Sequence, residues 1–406
     1  MKQISFIHAA DLHLDSPMAG LKHLPAELFN RTKESTFTSL QKLTQTAIRL
    51  QVDFVIIAGD IFDGEDRSLK AQSRFRKEML KLEAEGIPVY VVHGNHDHLN
   101  GSWVHLDMPK NVYVFPSEVE TMKLTTKSGE IVHLYGFSYP VRHVVDRKIT
   151  EYKKQEGADF HIGILHGNES SGTEHENYAP FTIKELEEKN FDYWALGHIH
   201  KRMILSETPP IIYPGNIQGR NKKETGAKGF YHVILSDVET KMEFCEASDI
   251  IWEEVHIDAS SAHHFHEILK LCQAAIQQFR KENQGTFLTI YLNNVQIEDA
   301  LERRSLDHSL LELLQENEKD EESFVWVVEL ITVQKQQIDK EQLKKEANFY
   351  TELFSIIEHY EHKDRALAPV YEHPLGRKYV SPLAETEQRE LIQQAEKLLI
   401  ELLYEE

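Results

Sequence analysis

The stretch Val89-Tyr90-Val91-Val92-His93-Gly94-Asn95-His96-Asp97 constrains this chain more than any other: an apolar run of β-formers stops at a glycine and releases three polar, metal-competent side chains at once. Valine and tyrosine suit a pleated, half-buried surface, whereas Gly94 permits the sharp exit that lets Asn95, His96 and Asp97 face one cleft. A strand end bearing chemistry is therefore expected here.

The first half of the chain repeats this plan. Asp11-Leu12-His13, Gly59-Asp60, Gly94 to Asp97, His166-Gly167 and Gly197-His198-Ile199-His200 all sit where a predicted strand stops. Residues i and i+2 of an extended strand point the same way, so Asp11 with His13, and His198 with His200, are each expected to offer two donors to one side. Carboxylate, imidazole and amide oxygen together suit borderline divalent ions such as Mn²⁺, Fe²⁺ or Zn²⁺ better than a hard, all-oxygen ion such as Ca²⁺. A lone histidine beside an apolar strand is more often a satisfied core residue, but five ordered clusters are a far more specific signal.

Between the strands expected at 4–9, 54–58 and 89–92, Phe37, Leu40, Leu43, Ala47 and Leu50, then Phe75, Met79 and Leu82, recur at helical spacing. Alternating strands and amphipathic helices predict a layered α/β domain, with further strands at 131–137, 161–165, 193–196, 211–213 and 230–235. A helix is expected over 183–188, with Thr182 and Glu185 as its capping box. This domain occupies residues 1–250. Residues 251–335 read as a small α+β accessory unit, with helices at 265–279 and 301–314 and strands at 287–292 and 324–333. Residues 336–406 read as two amphipathic helices joined by a proline-marked irregular segment.

Net charge is −21, which argues against the whole surface attracting nucleic acid and leaves only local basic rims. One such rim is Gly219-Arg220-Asn221-Lys222-Lys223, another is Lys201-Arg202, and Arg220, Lys222 and Lys223 are candidate contacts to a phosphate backbone. Tyr139 and Tyr178 are too scattered to define a base-stacking surface. The two cysteines, Cys245 and Cys272, lie far apart, and no apolar run reaches the length of a membrane span, so a reducing cytoplasmic setting with no membrane contact is expected.

The ordered clusters resemble the calcineurin-like metallophosphoesterase superfamily, whose pattern D-x-H, G-D, G-N-H-D/E, H and G-H-x-H they match over about the first 235 residues. The resemblance implies a two-sheet β-sandwich flanked by helices, with metals at the strand carboxyl ends. One ion would be held by Asp11, His13, Asp60 and His200, and a second by Asp60, Asn95, His166 and His198. His96 would face the substrate phosphate as general acid or hydrogen-bond donor, while Asp97 and His8 would support the ligands. His93 reads as structural.

Within the superfamily, Ile7-His8-Ala9-Ala10-Asp11-Leu12-His13, Gly59-Asp60-Ile61-Phe62-Asp63 and Ile211-Ile212-Tyr213-Pro214-Gly215-Asn216 are similar to the SbcD-type DNA repair exonucleases, nearest to their YhaO branch. That implies a DNA exonuclease, with endonuclease action as an extension, using two divalent ions, Mn²⁺ foremost. Its partner would be a coiled-coil ATPase of the SbcC or YhaN kind, gripped by the C-terminal helices, and homodimerisation is a further implication. Some relatives carry histidine where Asp63 stands, so Asp63 is expected either to orient a ligand or to contact solvent. The rival readings are a phosphodiesterase or phosphatase acting on small molecules or phosphoproteins, and a weakly catalytic regulatory subunit.

Overall fold

Phe54–Ala58 and Val89–Val92 are apolar and buried at every position, as parallel strands covered on both faces must be. They are β2 and β3 of a six-stranded sheet that also holds β1 (Gln3–Ala9), β4 (Val112–Val114), β11 (Gly229–Ser236) and β12 (Thr240–Glu246), in the order β12-β11-β1-β2-β3-β4. A second six-stranded sheet is built from β5 (Glu120–Thr125), β6 (Ile131–Gly136), β7 (Phe160–His166), β8 (Tyr193–Gly197), β9 (Met203–Glu207) and β10 (Pro210–Tyr213), in the order β5-β6-β7-β8-β10-β9.

The computed structural model describes residues 2–16, 18, 21, 24–63, 68–101, 104, 106–170, 178–297, 302, 306, 309–316, 318, 322–333, 348–358 and 360, with 367–369, 388, 391–392, 395–396 and 399. Two compact units are formed, Met1–Gln334 and Lys335–Glu406.

Strand periodicity explains the layering. Ile7, Ala9, Val55, Ile57, Val89 and Val91 face the helices α1 (Ala26–Leu50) and α2 (Leu69–Ala84), meeting their stripe of Phe37, Leu40, Leu43, Phe75, Met79 and Leu82. The alternate residues Phe6, Phe54, Ile56, Tyr90 and Val92 face the second sheet and pack on Leu134, Ile162, Ile164 and Ala195. The short helix α3 (Ile183–Glu188) starts with the expected reciprocal cap between Thr182 and Glu185. The layered α/β core and the two-sheet sandwich are thus both present.

A third, all-parallel sheet runs β13 (Ile250–Asp258), β14 (Gly285–Asn293), β15 (Val325–Val333), with α4 (Phe265–Phe279) and α5 (Ser309–Glu316) packed through Ile268, Cys272, Leu310 and Leu314. It belongs to the first unit and meets α1 through Trp252, Phe287, Phe324 and Leu28.

Strand β13 and the strands β4, β5, β9 and β12 are additions to the sequence-based expectation. The last four are sheet edges, half wet and mixed in character, so their sequences lack an unbroken apolar run. In the second unit, α6 (Asn348–Glu358) is described, with Phe354 buried. The helix expected near the C-terminus and the proline-marked segment before it lie outside the described residues apart from isolated positions.

Candidate metal centre

All five polar clusters gather at the carboxyl ends of β1, β2, β3, β7 and β8, but not on extended backbone. β1 stops at Ala9 and β8 at Gly197, and four of the nominated ligands adopt positive φ: Asp11 (52°), His13 (41°), Asp60 (52°) and His198 (102°). Non-glycine residues rarely hold such angles, and they persist where the surroundings over-determine them. The surroundings here are backbone bonds between the first two strand-end loops: Asp11 N to Gly59 O and His13 N to Asp60 O, both 3.0 Å, and Leu14 N to Ile61 O, 2.9 Å. The expectation that an i, i+2 pair offers both donors to one side holds for Asp11 and His13, which join one donor group on left-handed rather than extended backbone, and is corrected for His198 and His200. His200 turns to His13 across the fold, while His198 turns to Asn95.

Gly94 also has a different reason from the expected one. Its φ is ordinary for any residue, but a Cβ there would sit 2.4 Å from Asp60 Oδ1 and 2.5 Å from His166 Nε2. Gly197 is excluded from substitution in the same way, its Cβ falling 1.8 Å from Ala58 O.

The donor atoms converge in two groups. His13 Nε2 and His200 Nε2 lie 3.0 Å apart, and with an Asp11 oxygen they form a set whose ligand atoms are all within 4.8 Å of one another. Asn95 Oδ1 lies 3.1 Å from His166 Nε2 and 3.2 Å from His198 Nδ1. Between the groups, Asp60 Oδ2 is 3.4 Å from His166 Nε2 and 3.9 Å from His13 Nε2, the place of a bridging carboxylate.

Tautomers support the same reading. His166 donates Nδ1–H to Ala58 O at 2.9 Å, and His200 donates Nδ1–H to Glu224 Oε1 at 2.7 Å, which leaves both Nε2 atoms as lone-pair donors. His166 Nε2 thus faces the acceptor oxygen of Asn95, a juxtaposition that a proton or a cation must reconcile. Burial, assisted by His166, holds His198 down at about 3, and burial with Arg220 holds His13 at about 4, the neutral forms a cation needs. Burial opposes charge on His166 as well, but Asp60 and Asp11 outweigh it and raise the imidazole to about 9. That surplus of negative charge, with these soft-to-hard mixed donors, fits a pair of divalent ions.

A third group joins His13, Asp63 and His96. Asp63 Oδ1 stands 3.2 Å from His13 Nδ1, 3.2 Å from His96 Nδ1 and 3.1 Å from Arg220 Nη1, and its Oδ2 accepts from Ser16 at 2.8 Å. Burial would raise the Asp63 carboxyl, yet the two imidazoles and Arg220 hold it far below the usual range. His96 is held to the site by its own N–H, which donates to Asp60 Oδ1 at 2.9 Å. Asp63 thus stands against a candidate ligand histidine and the candidate acid together.

Among the other nominated residues, His8, Arg220 and Lys222 sit differently from expectation, whereas Asp97 and His93 do not. Asp97 accepts from Gly94 N (2.7 Å) and Ile61 N (2.9 Å) and lies 2.9 Å from His93 Nδ1, so it ties two ligand loops together and gives His93 a definite structural partner. His8 uses both ring nitrogens away from the ligand side chains, on Tyr193 Oη at 2.9 Å and Leu196 O at 3.1 Å, joining the two sheets below the site. Arg220 points inward to Asp63 and Ser16 rather than along the surface, Lys222 pairs with Glu329 at 2.9 Å, and Lys223 is exposed. Arg202 lies over the Phe244 ring. Tyr139 is fully buried and donates to His166 O at 2.9 Å, while the Tyr178 ring packs 4.7 Å from that of His198.

Sequence reasoning missed Glu224. Its side chain is 11% exposed, and although burial favours the neutral acid, the bond from His200 and the nearness of Arg220 bring it to about 2. Its only mark in the sequence is an acidic residue within the basic loop.

A family model described as calcineurin-like phosphoesterase matches residues 4–202. The chain is 40% identical over 409 residues to the uncharacterized metallophosphoesterase YhaO of Bacillus subtilis (strain 168), covering 98% of each protein. It is 25% identical over 280 residues to the DNA double-strand break repair protein Mre11 of Thermoplasma acidophilum, covering 64% of this chain and 70% of that one. The protein of the same name from Methanococcus maripaludis is 32% identical over 221 residues, covering 50% of this chain and 53% of its own.

Proposed function

From its membership of the calcineurin-like phosphoesterase family, which makes this chain a metal-dependent phosphoesterase, we propose that it is a Mn²⁺-dependent DNA nuclease acting in repair. The observation that supports phosphodiester chemistry best is the placing of His96 next to Asp60, between the two donor groups, with Asp63 against its Nδ1. DNA as substrate is supported by the similarity to two proteins named for double-strand break repair.

Asp11, His13, Asp60 and His200 would hold one ion, and Asp60, Asn95, His166 and His198 the other. Divalent ions bound there supply Lewis-acid activation of water and neutralise charge growing on the phosphoryl oxygens. The chain's own groups do the rest. Burial works against a charged His96, but Asp63 and then Asp60 outweigh it and raise its pKa, which favours the protonated form that a leaving oxygen requires. Arg220, anchored by Asp63 and Ser16, adds a fixed positive charge at the edge of the site, and the exposed Lys223 would meet a backbone phosphate.

A coiled-coil ATPase of the SbcC or YhaN kind is the proposed partner, and exposed Phe349 and Ile356 on α6 offer an apolar contact for it or for a second copy of this chain. Both cysteines are free, which suits the proposed cytoplasmic setting. Among the described residues no helix is long and apolar enough to cross a membrane.

The test is Mn²⁺-dependent cleavage of end-labelled linear DNA by the purified chain, with bis-p-nitrophenyl phosphate alongside and His96→Ala as control. Shortening of the DNA that vanishes in the variant is the expected result. Turnover of the small diester with intact DNA, even when the ATPase partner is added, would overturn the nuclease assignment and leave a small-molecule phosphodiesterase.

A further inference from the structure

The loop over residues 214–228 lies between the metal centre and the third sheet and is bonded to both. On its inner side, Glu224 Oε1 accepts from His200 Nδ1 at 2.7 Å, and Glu224 Oε2 accepts from Asn216 Nδ2 at 2.8 Å and Arg220 N at 2.7 Å. On its outer side, Trp252 of β13 donates its indole N–H to Gly219 O at 3.2 Å and accepts from Gly226 N at 2.8 Å. Lys222 reaches Glu329 of β15 at 2.9 Å.

The loop has little freedom to adapt between these attachments. A Cβ on Gly219 would fall 2.7 Å from Glu224 O and 3.2 Å from Trp252 Cδ1, so tryptophan, glycine and glutamate are in contact as one stack. Trp252 itself is buried and packs on Phe287 of β14 with ring centroids 4.9 Å apart. A displacement of the third sheet of about 1 Å would stretch the His200–Glu224 bond beyond hydrogen-bonding range unless another contact gave way.

We propose that Glu224 and Trp252 are positioning residues through which the third sheet sets the metal affinity of the site formed by Asp11, His13 and His200. Glu224 fixes the His200 ring and raises the donor strength of its Nε2, and Trp252 fixes the loop that carries Glu224. A partner that moved the third sheet would retune this site and leave the one at Asn95, His166 and His198 largely untouched. The proposal rests on the di-metal reading of the cluster and is independent of DNA as the substrate.

The experiment is calorimetric titration of the full chain with Mn²⁺, resolving two sites, with thermal unfolding of each variant in parallel. Glu224→Ala and the gentler Glu224→Gln should weaken one site, by about 10–100-fold for alanine, and keep the other within about threefold. Trp252→Phe retains the ring on Phe287 but loses the indole donor, and should weaken the same site by about 3–10-fold, the worth of one hydrogen bond. Wild-type constants at both sites in Trp252→Phe would remove the third sheet from the mechanism. Equal weakening of both sites in Glu224→Gln, with a lowered melting temperature, would reduce Glu224 to a fold-stabilising residue. A wild-type chain that took up no Mn²⁺ would overturn the metal centre and this proposal together, whereas intact two-site binding without DNA cleavage would overturn only the nuclease assignment.

Discussion

Asp63 Oδ1 lies 3.2 Å from His96 Nδ1, and against burial that carboxylate, together with Asp60, favours the charged form of the candidate acid. The same oxygen is 3.2 Å from His13 Nδ1, so the carboxylate joins the candidate acid to a candidate metal ligand.

Replacing Asp63 by asparagine should separate these effects. Asp63 raises the His96 pKa against burial, so its loss lowers that pKa. A group that must be protonated to act loses activity as pH rises through its pKa, and the alkaline limb of the kcat/KM profile should therefore move to lower pH in Asp63→Asn, with activity down by about 10–100-fold. An alkaline limb unchanged from wild type would show that Asp63 does not govern the acid.

His96→Ala should keep its metal and lose about two or more orders of magnitude in phosphodiester turnover, the usual loss on removing a positioned acid or transition-state donor. Asp60→Ala should instead lose metal, because Asp60 stands between the two donor groups. Elemental analysis of the two variants checks this, and full activity in His96→Ala would remove the acid role.

Gly94→Ala should act on the metal centre although position 94 supplies no ligand. The added methyl would press on Asp60 Oδ1 and His166 Nε2. Destabilisation of about 1–3 kcal/mol, as for other overpacked sites, should come with reduced Mn²⁺ uptake. Unchanged metal stoichiometry would mean that the loop yields without disturbing the ligands.

His8 predicts part of the acid sensitivity. Burial first, opposed by the Leu196 carbonyl, holds its pKa at about 3, so the fold keeps the ring neutral. The stabilisation is complete above the unfolded value near 6.5 and is lost as pH falls from there towards 3. Between pH 7.5 and pH 5 this amounts to on the order of 2 kcal/mol. Urea unfolding at the two pH values should show a loss smaller by about that amount in His8→Gln. An identical loss in wild type and variant would show that His8 does not titrate on unfolding.

The sequence by itself determined the ligand types, their order, and the buried strands and helix stripes that hold them. Residues 54–58 and 89–92 are expected as strands and found as strands, because an apolar run bounded by glycine or proline has few other uses. Tertiary structure alone decided which donor meets which. His13 and His200 are 187 residues apart in sequence, yet their Nε2 atoms lie 3.0 Å from each other. It also decided the left-handed turns at Asp11, His13 and Asp60, which bonds between neighbouring loops hold in place. The contacts of Glu224 and Trp252, and the inward turn of Arg220, were illegible for the same reason. Their roles depend on a loop pinned between a sheet and a metal centre, and contacts so distant in sequence leave no period or spacing in the chain.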